Sequence, residues 1–155
     1  MAVVRSLQRP TLPGASTIFA ARILPAKGTS RAQLRIGAPF LEPETLAQRA
    51  VDVLSDRNAL DIALLDISKT SSFTDFFVIA TAQSPLQFNA LAEYLEHELE
   101  PDGHTLRHKE GSPASGWMLL DFGDLIVHIF SPDQRAFYRL EDLWGKTNPV
   151  VHFAN

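Results

Sequence analysis

Beyond about residue 42 the apolar positions keep regular periods, and before it they do not. Leu46, Ala47, Ala50, Val51 and Leu54 recur at helical spacing behind Pro43, a residue suited to a first helical turn. Residues 61–67 form a short apolar run of the kind that makes a buried strand. A polar loop over 68–74 and Asp75 precede a second such run, Phe76–Thr81. Ser84, Pro85, Leu86 and Gln87 spell a capping box with proline in the first turn. It opens a helix that places Phe88, Leu91, Leu95 and Leu99 on one face, closed by Pro101, Asp102 and Gly103. A weaker, basic strand is expected over 104–109. Residues 117–122 and 125–130 read as a hairpin around Gly123. Ser131 and Gln134 repeat the capping pattern and start a helix running to about Trp144. The predicted order is α-β-β-α-β-β-β-α, an α/β (α+β) fold with a single mixed sheet and helices packed on it.

Residues 1–41 hold Pro10, Pro13, Pro25 and Pro39 with Gly14, Gly28 and Gly37 between short apolar pieces, so no period survives there. Three parts are therefore expected: a disordered basic extension over 1–41, a domain over 42–147, and a short tail over 148–155. Charge divides the chain at the same point. The extension has six basic residues and no acidic one. The remainder has eight basic against eighteen acidic residues, a balance of about −10. Such a domain is repelled by a phosphate backbone and suits a basic protein partner, although a solvated acidic surface explains the same count. The extension reads equally as an organellar transit peptide or as a plain leader. No stretch approaches the roughly 20 apolar residues of a membrane helix. The lack of cysteine excludes disulfides, zinc-thiolate sites and a cysteine nucleophile.

With the hairpin turn at Phe122 and Gly123, Asp121 opposes Asp124, Leu119 opposes Ile126 and Trp117 opposes His128. One face is then wholly apolar: Met118, Leu120, Leu125 and Val127. The other carries Trp117, Leu119, Ile126 and His128, with both aspartates at its end. A covering helix would make that face core. Left open, an aromatic anchor with a charged edge has the make-up of a binding hot spot.

Catalytic and metal chemistry find little support. His104 and His108 would lie about 13 Å apart on a strand at roughly 3.3 Å per residue, too far to share an ion. Asp121, Phe122 and Gly123 spell a kinase magnesium motif without the Gly-rich and catalytic loops it requires. Asp61, Asp66 and Asp75 could hold magnesium for phosphoryl transfer, but no phosphate-cradling glycine loop accompanies them. A small nucleotidyltransferase thus remains the enzymatic alternative, and no cofactor and no metal are expected.

Several segments agree in order and spacing with one family. These are Asp61-Ile with Leu65-Asp66; Ser71-Ser-Phe-Thr-Asp-Phe-Phe-Val-Ile79; Glu110-Gly111; Gly116-Trp-Met-Leu-Leu-Asp-Phe-Gly-Asp124; Val127-His-Ile-Phe130; and Arg135-Ala-Phe-Tyr-Arg-Leu-Glu-Asp-Leu-Trp144. Over roughly residues 44–144 the chain resembles the ribosomal silencing factor (RsfS/Iojap) family. The resemblance implies a nucleotidyltransferase-like fold without an active site. It implies a factor that binds ribosomal protein L-fourteen of the large ribosomal subunit, obstructs the small subunit, represses translation and serves large-subunit maturation; a ribosome-assembly scaffold without a silencing role is the other non-enzymatic alternative. It also implies a homodimer when free, with neither membrane nor sequence-specific nucleic acid as partner. The expected place is on cytoplasmic ribosomes, or in a mitochondrial or plastid matrix if residues 1–41 are a transit peptide. Trp117, Asp121, Asp124 and His128 fall in the family's hairpin motif and Glu110 in the pair before it. Tyr138 falls in the last-helix motif as a contact, beside Glu141, with Leu140, Leu143 and Trp144 as core. Asp75 is expected to be structural.

Overall fold

The structure, a computed structural model, describes residues 41–146 and 148–153. The expected extension, apart from Leu41, lies outside the described residues. The elements in chain order are α1 (Pro43–Asp56), β1 (Leu60–Asp66), β2 (Phe76–Thr81), α2 (Pro85–Leu99), β3 (His108–Ser112), β4 (Trp117–Asp121), β5 (Leu125–Phe130), α3 (Pro132–Tyr138), α4 (Leu140–Gly145) and β6 (Val150–Phe153). They form one mixed sheet in the order β3-β4-β5-β2-β1-β6. All neighbouring strands run antiparallel except β2 and β5, which pair in parallel at its centre.

Both faces of the sheet are covered, which is why β2, β4 and β5 are buried along their whole length. On one face α1 and α2 lay Leu46, Ala50, Leu54, Phe88, Leu91 and Leu95 against Phe76, Val78, Met118, Leu120, Val127 and Ile129. The other face gathers Leu65, Phe77, Ile79, Trp117, Leu119, Ile126 and Phe130 beneath Leu140 and Trp144 of α4. The capping residues act as their positions require. The Ser84 hydroxyl accepts the Gln87 N–H at 3.1 Å, and that of Ser131 accepts the Gln134 N–H at 3.3 Å.

Four features depart from the sequence reading, each for a local reason. The strand expected over 104–109 is β3, which begins four residues later at His108 and runs to Ser112. Its polar residues conceal the pairing, which begins where the Arg107 N–H donates to the Asp121 carbonyl. In the hairpin, Phe122 N–H donates to the Leu125 carbonyl at 2.8 Å, so Gly123 and Asp124 are the turn. Gly123, at φ 94°, takes the left-handed position while Phe122 is drawn into the core. The register therefore moves by two residues: Trp117 faces Phe130, and His128 faces Leu119. A shift of two preserves the faces. The last helix breaks at Arg139, whose φ of 50° separates α3 from α4. The expected tail over 148–155 contains a sheet strand, since Val150–Phe153 pairs with β1 from Ile62 to Leu65. Val150, Val151 and Phe153 favour a strand but are too few to show a period.

Candidate functional site

The six residues singled out from the sequence divide into two groups on the sheet face beneath α3 and α4. Trp117, His128 and Tyr138 meet in one. Tyr138, the last residue of α3, sets its ring 4.3 Å from that of Trp117, and Phe130 lies 4.8 Å from the indole on another side. The Trp117 Nε1–H donates to His128 Nδ1 at 3.1 Å. Although the new register separates the two as diagonal neighbours, aromatic side chains still reach across that spacing. Because indole N–H only donates, His128 Nδ1 is the acceptor and its proton lies on Nε2. That Nε2 is buried without a hydrogen-bond partner among the described residues, as is Nε1 of Trp144. Both rings flank Phe77 edge-on, His128 at 4.7 Å and Trp144 at 5.3 Å between centroids. Burial in this apolar setting lowers the His128 pKa to about 3, so the imidazole is neutral at physiological pH. Burial also pushes the Tyr138 phenol above its usual range.

The second group is acidic. An Asp121 carboxylate oxygen accepts the Gly123 N–H at 2.7 Å, closing the hairpin turn. Asp124 is buried beside it, and its carbonyl accepts the N–H groups of Asp75 and Phe76 where β2 begins. Asp121 faces Ile126, so the two carboxylates are not the opposed pair expected from the sequence. Glu110, on edge strand β3, is buried and holds the His108 Nε2 at 2.5 Å. At Gly123 it is the φ of 94° that calls for glycine, since the nearest group to a Cβ there would be the movable Arg107 guanidinium.

The hairpin face is therefore not open. Trp117 is only 8% exposed and His128 4%, with Glu110, Asp121 and Asp124 comparably covered. Of the six residues only Tyr138 is half-buried. Next to it stands Phe137, 60% exposed, its ring 5.2 Å from that of Tyr138. Sequence reading overlooked Phe137, because helical spacing ranks core positions and this residue faces away from the core.

The residues weighed for metal or phosphoryl chemistry are dispersed. Asp61 sits exposed at φ 48° in the irregularity between Leu60 and Ala63, at the opposite end of β1 from Asp66. Asp66 accepts the backbone N–H and the hydroxyl of Ser68 at 3.0 and 2.6 Å. The Asp75 carbonyl accepts the Ile67 N–H. His104 is not on a strand but in the segment before β3, its Nε2 3.0 Å from the Leu41 carbonyl. Among the described residues no group of three or more His, Asp or Glu side chains is arranged to hold a metal ion.

Comparison with known proteins gives a consistent result. Residues 41–155 match the family described as "Ribosomal silencing factor during starvation". The ribosomal silencing factor RsfS of Zymomonas mobilis is 40% identical over 104 residues, covering 67% of this chain and 78% of that protein. A crystal structure of a Chromobacterium violaceum protein superposes with a TM-score of 0.65 at 34% identity, over 70% of this chain and 91% of that one. The mouse protein named "Mitochondrial assembly of ribosomal large subunit protein 1" is 32% identical over 97 residues, 61% of this chain and 42% of its own length.

Proposed function

The chain belongs to the ribosomal silencing factor (RsfS/Iojap) family, and from that premise we propose that it silences ribosomes by occupying the large subunit where the small subunit would join. The observation that carries this reading is the extent of the match, residues 41–155, which takes in every described element of the fold. The partner surface is ribosomal protein L-fourteen, and the free protein is a homodimer. A strongly acidic domain suits a basic ribosomal protein better than ribosomal RNA. The mechanism is occupancy and involves no catalysis.

Within this reading Tyr138 touches the partner. Trp117, His128, Glu110, Asp121 and Asp124, being covered, serve the contact by shaping the face behind it. Relatives come from bacteria and from a mitochondrial system. The protein accordingly acts wherever its ribosomes are, in a bacterial cytoplasm or an organellar matrix. Among the described residues no helix is long and apolar enough to cross a membrane.

Purified protein added to separated subunits on a sucrose gradient tests the proposal. Joined ribosomes should decrease in favour of free subunits, with the protein on the large-subunit peak and no nucleotide added. Unchanged joining at saturating, demonstrably bound protein would refute obstruction. That same result would favour a second reading, suggested by the name of the mouse relative: large-subunit assembly without silencing.

A further inference from the structure

The corner between α3 and α4 is bridged by the Arg135 side chain. Arg139 breaks the helix at φ 50° and caps α4 with its carbonyl, which accepts the N–H groups of Asp142 and Leu143 at 3.1 and 3.2 Å. Arg135 reaches across this break. Its Nε donates to Glu141 Oε1 at 2.6 Å, a second guanidinium nitrogen joins the same carboxylate, and Nη1 donates to the Thr81 hydroxyl at 2.9 Å. Thr81 is buried at the end of β2, so the guanidinium ties both short helices to the sheet at once. Neither partner of this ion pair is more than a fifth exposed. Residues six apart lie on different sides of a continuous helix, so this bond requires the break. Between its ends lie Phe137 and Tyr138, one turned outward and the other resting on Trp117.

We propose that Arg135 is a positioning residue: clasped to Glu141 and Thr81, it presents Phe137 and Tyr138 as a rigid aromatic edge that docks on a basic protein surface of the large subunit. The assignment rests on the ribosome-bound reading given above. Three observations favour that occupant. Phe137 is one of three strongly exposed large apolar residues among the described ones, and it alone adjoins an expected contact. Asp133 stands exposed on α3, while the exposed Asp142 of α4 is paired with Arg139. The domain as a whole carries the acidic excess a basic partner would meet. An aromatic side chain fixed beforehand loses little freedom on binding, and that advantage appears in the rate of release.

The test immobilises purified large subunits and measures release of the full chain. Phe137→Ala should leave the melting temperature unchanged and speed release about tenfold, the size of a modest anchor. Arg135→Ala should speed release by a similar factor. Arg135→Lys should not rescue it, since an ammonium cannot make the forked contact. The exchanged pair Arg135→Glu with Glu141→Arg should recover part of the loss. A purely structural role for Arg135 would lower the bound amplitude at an unchanged release rate, and that result overturns the proposal. So does wild-type release from both Phe137→Ala and Arg135→Ala. Should Arg135→Ala fail to fold, Glu141→Gln decides in the same way: faster release supports the clasp, and an unchanged rate overturns it. Wild-type protein that does not bind large subunits at all would refute the underlying reading, and this proposal with it.

Discussion

Trp117 can be assigned a role from its neighbours alone. Its ring lies against Phe130 and Tyr138, and its N–H satisfies a buried imidazole. Trp117→Ala should therefore cost roughly 3–5 kcal/mol of stability, the range for large aromatic truncations in a core, measured by urea unfolding. A variant as stable as wild type would show the ring to be dispensable for packing. His128 gives a pH signature. Its folded pKa, lowered to about 3, lies below the unfolded value of 6.5, so the unfolded chain takes up the proton first. Its contribution to stability is whole above pH 6.5 and declines as pH falls towards 3, by roughly 1 kcal/mol per pH unit. His128→Gln should flatten that decline between pH 6.5 and 5 in unfolding titrations. At this scale the sequence showed which residues share the hairpin face, because alternation fixes faces whatever the register. Exposure was hidden, since it depends on α3 and α4 folding back over that face.

Among the elements, the strongly periodic ones were legible: α1, α2, β2, β4 and β5 all carry runs of apolar residues against a regular spacing. The weak ones were not. β3 is an edge strand of polar residues around Gly111, whose φ of 82° and contact with the Trp117 carbonyl leave no room for a side chain. β6 is four residues long and is stabilised by pairing with β1, which no local pattern announces. Deleting residues 149–155 should lower stability by roughly 1–3 kcal/mol and leave β1 as a bare sheet edge prone to association. Thermal melts and size-exclusion profiles of the shortened chain check both effects. An unchanged melt would mean that β6 contributes little beyond closing the edge.

The whole molecule invites a trimming experiment. Leu41 packs against the first core cluster, and its carbonyl meets His104. A chain beginning at residue 39 keeps both contacts and should melt, and bind large subunits, as the full chain does. A loss of either property would show that residues 1–38 contribute to the domain. The central strand pairing has a kinetic meaning too. β1 with β2 and β4 with β5 are antiparallel neighbours joined by short connections, and each pair can form locally. β2 and β5, by contrast, meet in parallel from Phe76 with Leu125 to Thr81 with Phe130, and α2, β3 and β4 all intervene between them in the chain. Closing that seam means ordering a long loop before its contacts repay the entropy, so it sets the pace of folding. Trimming Val78 or Val127 to alanine should therefore slow refolding in stopped-flow chevrons, whereas trimming Val150 in β6 should mainly hasten unfolding.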